Sequence, residues 1–477
     1  MNTIKSLILG SAAGILAVGG AQAADLPVKA KAVEYVKVCS LYGAGFYYIP
    51  GTDTCLKIGG YLRADTSFNT SGSYGQPEFT GNGLSNTRSK DYFIGRVRAN
   101  LTMDTRTATE YGVLRTYLNT QFQWTDSSDT IAGGAIEVDY AFIQFAGFQF
   151  GKAVSQFDTQ WVLARPTISS GVIGGSDNTT GIPQLAYTAS FGNGVSATIS
   201  AETPRPYRKG YVYNDGTSIG VPGGTLFTDS TAGQMMPDFV ANLRLDQAWG
   251  SLHLGAAVHQ VAASYYGSTS TSGSPEDKYG WAVIGGFELK NLPTGAGDTL
   301  RGDITYAQGA TRYIWGGTSD SKGMGFAVYN GDGVAFGNYL DAVFSSPNGD
   351  LQLSTDWSAR LFYEHYWNPA WRTSLWGVYA RHENTDAGNA ALMRGYSAAF
   401  GSSLTGNANF SVYQIGSRTA WTPVKNLTIS AEVSYFSLQT DMSGVVTKNP
   451  WSNRSGQSAI IGNQGTVAGQ VQILRSF

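Results

Sequence analysis

The chain is poor in the residues on which metal proteins and soluble enzymes are commonly built. Of its 477 residues only two are cysteine and four are histidine. Cys39 and Cys55 have no histidine nearby, and His253, His259, His365 and His382 are too dispersed to make a ligand cluster, so no metal site is expected. Charged residues are only 14% of the chain, and its formal charge of −2 lacks the basic excess of a nucleic-acid binder. His382-Glu383 does not continue to HExxH, and no GxxxxGK[ST] phosphate loop occurs. Gly216-Thr217-Ser218-Ile219-Gly220 matches GxSxG but lies in a glycine-rich loop, without the strand-turn-helix setting of a nucleophile elbow. These absences leave no catalytic residue and no cofactor to name.

Long apolar runs are also missing. The longest, Leu7 to Val18, follows Lys5 and precedes Ala21-Gln22-Ala23. It is too short for a spanning helix, which needs roughly twenty apolar residues, and reads as a secretory signal over residues 1–23, cleaved after Ala23. That segment holds one lysine and no acid, which puts the mature chain, from Ala24-Asp25-Leu26-Pro27, at −3. If the protein enters a membrane, it does so as strands.

What is abundant suits that route: 61 glycines, 27 tyrosines, 22 phenylalanines and 11 tryptophans. Apolar and polar residues alternate at period two over segments of about ten residues. Val97, Ala99, Leu101 and Met103 share one face of a strand and Arg96, Arg98, Asn100 and Thr102 the other. In the next, Leu114, Leu118, Phe122 and Trp124 oppose Arg115, Tyr117, Asn119, Gln121 and Gln123. The pattern recurs with Phe239, Ala241, Leu243 and Leu245, and with Leu427, Ile429, Ala431, Val433 and Tyr435.

A soluble β-sandwich also alternates, so the connections decide. Short turns fall near 105–108, 146–147, 192–194, 248–250, 291–298, 368–369 and 422–425. Long polar segments lie between them, near 67–91, 125–134, 153–182, 203–235, 263–277, 309–352, 384–408 and 441–463. This segregation predicts sixteen strands in an all-β, closed antiparallel transmembrane barrel, with short periplasmic turns and long extracellular loops. A sixteen-stranded lumen is too wide for side chains to fill, so inward Arg and Asp would face water. Trp124, Trp249, Trp281, Trp357, Trp367, Trp371 and Trp421 fall near strand ends, where interfacial girdles form.

Residues 36–65 read VKVCSLYGAGFYYIPGTDTCLKIGGYLRAD. Cys39, the run Tyr42 to Thr54, Cys55 and Lys57-Ile58-Gly59-Gly60 resemble the N-terminal signature of the α-proteobacterial general porins, and the resemblance extends to the terminal aromatic, Phe477. It implies a homotrimer in the outer membrane, among lipid and lipopolysaccharide, with a water-filled channel for ions and small hydrophilic solutes. It also implies a third loop folded into the lumen. Val471, Ile473 and Phe477 keep the alternation of an insertion signal, which Arg475 interrupts.

Candidate sites follow. Cys39 and Cys55 are expected to form a disulfide stapling segment 24–54 beneath the barrel of 55–477, worth roughly 3 kcal/mol in the chain-entropy model; two free structural thiols are the alternative. Lys57, Arg63, Arg96, Arg98 and Arg115 form an inward basic wall, opposite a third loop that carries Asp158, Arg165 and Asp177. Such opposed walls would create a transverse field across a narrow throat. Alternatively these arginines are solvated away from the narrowest point. Glu137 and Asp139 are inward acids that could pair with the ladder instead, and His253 and His259 read as lumen lining. Leu56, Ile58, Gly60, Leu62 and Ala64, with Val467, Gly469, Val471 and Ile473, are outward and free of large aromatics, which suits packing against a neighbouring barrel. A substrate-selective channel would need aromatic tracks beyond Tyr61 and Tyr117, a hydrolase a Ser-His pair on one strand face, and an adhesin no polar inner face.

Overall fold

The computed structural model describes residues 37–69, 92–125, 135–169, 171–176, 180–203, 205, 210–216, 229–316, 325–401, 403–447 and 457–477. The expected signal over 1–23, Asp177 and Ser218 lie outside the described residues.

Sixteen strands form the wall. They are β1 Cys55–Phe68, β2 Phe93–Thr109, β3 Gly112–Thr125, β4 Ala135–Phe145, β5 Phe148–Ala153, β6 Ile182–Gly192, β7 Val195–Glu202 and β8 Asp238–Gln247. The second half comprises β9 Gly250–Val261, β10 Lys278–Lys290, β11 Thr299–Gln308, β12 Thr355–Asn368, β13 Trp371–Glu383, β14 Thr405–Val424, β15 Leu427–Val446 and β16 Gln464–Ser476. Each is antiparallel to its sequence neighbours, and β1 pairs with β16 from Tyr61↔Ser476 to Phe68↔Gly469. The sheet is therefore a closed barrel without a free edge, as a backbone in hydrocarbon requires.

Turn chemistry fixes the short-turn end. Asn193 and Gly194 both have positive φ, 50° and 77°, the geometry whose twist matches a two-residue hairpin. Where β2 meets β3, the turn lies at 110–111 rather than near 105–108, because β2 continues to Thr109 and pairs it with Gly112. The seven girdle tryptophans are all exposed on the outer wall, whereas Trp161, Trp315 and Trp376 are buried inside the barrel.

That interior holds one infolded loop more than the expected third one. The described residues of loop 3 (154–181) and loop 6 (309–354) turn inward and build an apolar core against β8–β15. Trp161 of loop 3 packs edge-on against Phe362 of β12, with ring centroids 5.5 Å apart. From loop 6, Trp315 meets Phe410 of β14 at 5.3 Å and Phe326 meets Phe436 of β15 at 5.8 Å. Each such side chain buried contributes about 1.5–3 kcal/mol, enough to hold a loop against the wall. Along β14 and β12, the loop 6 partners Phe410 and Asp356 lie nearer the long-loop end than the loop 3 partners Gln414 and Arg360. Loop 6 thus sits on the extracellular side of loop 3.

A second core caps that end. Helix α1, Asp386–Phe400 in loop 7, presents Ala391, Leu392, Tyr396 and Phe400 to Tyr213, Phe336 and Val343 of loops 4 and 6. It lies within a segment expected to be a polar loop. Its end signals are legible: the Thr385 hydroxyl accepts from Gly388 N at 3.1 Å, and Gly401 ends the helix in the left-handed conformation.

Candidate functional site

Loop 3 leaves the wall early, since β5 ends after six residues at Ala153. Its backbone must then find partners, and inward polar side chains supply them. Glu202 of β7 accepts from the Ser155 hydroxyl at 2.7 Å and from Gln156 N at 2.8 Å. Asn242 of β8 donates to Gln156 O at 2.6 Å, and His253 of β9 meets Phe157 O at 2.9 Å. Further round, Arg360 donates to Gly174 O, Gln414 bonds Ile173 N and Gly171 O, and Glu432 of β15 accepts from Ile168 N and Ser169 N. Loop 3 therefore lies along the inside of β7–β15, leaving the inner faces of β1–β4 opposite.

Those faces carry the basic residues, in two groups rather than one wall. In the upper group Asp65 accepts from Arg96 at 2.6 Å and from Arg63 at 3.0 Å, and Gln472 of β16 donates to its second oxygen. Arg98, directly across from Arg63, donates to the neutral amide of Gln123. The far end of loop 3 lies at this level, because Glu432 is paired through Gln470 with Ser67, two residues from Asp65. In the lower group Asp104 holds Arg106 at 2.9 Å and Arg115 at 3.0 Å, beside Lys57. Gln123 and Arg115 are separated along β3 by about 26 Å at the usual strand rise. Lys57 and Arg115 consequently belong to the periplasmic mouth and not to the level of loop 3.

The acidic side differs more. Asp158 is buried and its carboxylate accepts from Ser176 N at 2.7 Å, within loop 3 itself. Arg165 is partly exposed beside Leu163 and Ala164, which makes that stretch of loop 3 basic and apolar. Glu137 accepts from Gln121 at 2.7 Å instead of joining the ladder. Asp139 is buried where β4 bulges between the partners of Asn119 and Thr120. The acids that do pair with the ladder, Asp65 and Asp104, and the second lower guanidinium, Arg106, are additions to the expected set. All three were legible, as each stands two residues from Arg63 or from one another on an inward face.

His253 and His259 point inward but are covered. His259 Nδ1 contacts Asp238 at 2.7 Å, and the same carboxylate accepts from Tyr313 Oη at 2.7 Å and Arg312 Nη1 at 3.1 Å. This cluster fastens loop 6 to β8 and β9. Burial, reinforced by the Asp238 carboxylate, pushes the Tyr313 hydroxyl well above its ordinary value, so it stays a donor. On the outer wall Arg475 lies near the periplasmic turn, where it donates to Lys425 O at 2.7 Å; this is how the last strand accommodates a charge. Cys39 and Cys55 are joined in a disulfide.

A closed sixteen-stranded barrel with an infolded third loop narrows the search to outer-membrane channels. The family described as "Porin subfamily" matches residues 25–463. The chain belongs to the porin subfamily. Porin Omp2b of Brucella suis is 32% identical over 321 residues, covering 60% of this chain and 80% of the relative. Porin Omp2a of Brucella ovis is 33% identical over 328 residues, covering 60% and 86%. Among solved structures, the outer membrane channel DcaP of Acinetobacter baumannii superposes with a TM-score of 0.59 at 17% identity, covering 90% of this chain and 99% of that one. This last likeness is one of fold. The porin thus resides in the Gram-negative outer membrane as a β-barrel, and its family membership makes it a general porin channel rather than an enzyme.

Proposed function

We propose that this porin passes small hydrophilic solutes and ions by diffusion along the β1–β4 wall, through a throat between loop 3 and Arg63, Arg96 and Arg98. The observation that carries this reading is the asymmetry of the lumen. Loops 3 and 6 build an apolar core against β8–β15, whereas the opposite wall is lined by charged and amide side chains. Asp65 and Asp104 are each shared by two guanidiniums, and Arg98 is bonded to a neutral amide. The wall is therefore net positive, and a weak anion preference follows.

Three copies assemble through the outward faces of β1 and β16, where Leu56, Ile58, Gly60, Leu62, Val471 and Ile473 offer a flat aliphatic surface; Ile58 and Leu62 are 48% and 57% exposed. Lipid and lipopolysaccharide surround the rest. Residues 1–23 act as the cleaved export signal. Planar-bilayer recording of the refolded protein tests the reading. The expected result is stepwise conductance, in groups of three, scaling with bulk salt conductivity, with a reversal potential on the anion side. A verified barrel that conducts nothing would overturn it.

A further inference from the structure

The disulfide-bearing segment 37–54 does more than hang below the barrel. Tyr47 and Tyr48 pair antiparallel with Leu56 and Cys55 at the start of β1, and the Thr54 hydroxyl bonds that of Thr107 in β2 at 2.9 Å. The segment then curls back through Gly45 and Gly43, with φ of 87° and 98°. Gly45 lies against the stem of Lys57, whose Cε is 3.4 Å from the place a Cβ would take. This curl sets Phe46 into a small core with Cys39 and Cys55, all three at most 4% exposed.

Lys57 and Arg106 are inward residues, alternating with the outward Leu56, Ile58, Thr105 and Thr107. Yet the Arg106 guanidinium lies 4.9 Å from the centre of the Phe46 ring and 5.7 Å from that of Tyr42, and Lys57 Nζ lies 5.8 Å from Phe46. Aromatic rings that stack on inward cations must lie on the lumen side of the wall. On the neighbouring strand β3, directly across from Arg106, Arg115 rests on Tyr117 and Phe142 at 5.1 and 5.5 Å. Ring faces attract cations and pin long side chains against the wall, which fixes how far their charges reach into the water of the exit.

We propose that segment 37–54 is a second selectivity element, an aromatic collar at the periplasmic mouth in which Phe46 and Tyr42 hold Arg106 back from the exiting stream while Lys57 stays exposed beside them. It rests on the channel reading above. The Cys39–Cys55 bridge anchors the collar to the first residue of β1, so its position survives thermal motion in the aqueous exit. Its substrates are the same small anions, for which the collar sets how much of the lower cationic group is felt.

Two variants separate the collar from its anchor: Phe46→Ala with Tyr42→Ala, which keeps the bridge, and Cys39→Ser with Cys55→Ser, which releases it. Both are refolded, checked by heat-modifiable electrophoretic mobility, and recorded in a KCl gradient beside the wild type. The collar predicts roughly 1.5-fold larger unitary conductance in both, a reversal potential moved toward the anion side, and altered current rectification because the uncovered charges sit at one end. The bridge-free variant also flickers. Folded variants with wild-type conductance, reversal potential and rectification would overturn this inference alone. A wild-type barrel that conducts nothing would overturn the channel reading and this one together.

Discussion

Phe477 and Gly60 exchange backbone hydrogen bonds, Phe477 N to Gly60 O at 3.1 Å and Gly60 N to Phe477 O at 3.4 Å. The last residue of the chain thereby closes the seam onto the first strand, and Gly60 is shaped for it. A Cβ at position 60 would stand 2.1 Å from Asn100 O and 3.1 Å from the Phe477 ring. Gly60→Ala is expected to cost about 1–3 kcal/mol through backbone displacement, seen as a lower urea midpoint for barrel unfolding. Gly285 has no neighbour within 4 Å of the equivalent point, so Gly285→Ala is the control and should leave the midpoint unchanged.

Loop 6 narrows the lumen above loop 3 through a hairpin, Gly325–Asn330 and Gly333–Asn338, whose Phe326 reaches Phe410 and Phe436. Gly333 and Val334 of this hairpin pair with Ile460 and Ile461, which in turn pair with the end of β15, so the hairpin is fastened to one strand of the wall at its extracellular end. Its deletion is expected to raise single-channel conductance and the size limit for uncharged sugars in liposome swelling, while heat-modifiable mobility persists. Unchanged conductance would mean that the hairpin lies outside the current path.

Asp298, in the turn between β10 and β11, is fully buried. Burial alone would raise its pKa, but contacts from His365 Nδ1, Tyr366 N, Thr294 Oγ1 and Tyr363 Oη hold the carboxyl well below its usual range. A depressed pKa stabilises the fold in full above the unfolded value, about 3.9, and that contribution is lost as pH falls toward the folded value. Asp298→Asn should therefore lower the urea midpoint at neutral pH. The gap from wild type should shrink once the pH drops below about 4.

The Cys39–Cys55 bridge is shielded, with its cysteines 0% and 1% exposed. Thiol exchange needs access to a sulfur atom. Dithiothreitol followed by alkylation and mass measurement should leave the folded barrel unmodified and label both cysteines after denaturation. Rapid labelling of the folded protein would show that the segment opens.

The wall was readable because its physics is local. Period-two alternation placed Arg96, Arg98 and Arg115 inward and Leu101 and Phe122 outward, and the contrast between short and long connections supplied the strand count. The interior was not, because loop packing depends on pairs far apart in sequence. Phe326 meets Phe436, and Ile168 N finds Glu432, only once the barrel has closed. The aromatics within 309–352 were the available signal that this loop is not simply polar. Asp158 shows the other limit: its carboxylate accepts from the loop's own backbone at Ser176, a contact that spacing along the chain does not reveal.

The most direct test of the central claim, that current follows the arginine-lined wall at the level of loop 3, is the reversal potential of Arg98→Glu in a KCl gradient. Arg98 binds the neutral Gln123, so its charge is felt by passing ions. The account predicts that the anion-to-cation permeability ratio falls roughly two-fold or more while conductance stays within the same range. An unchanged ratio in a folded, conducting barrel would contradict it.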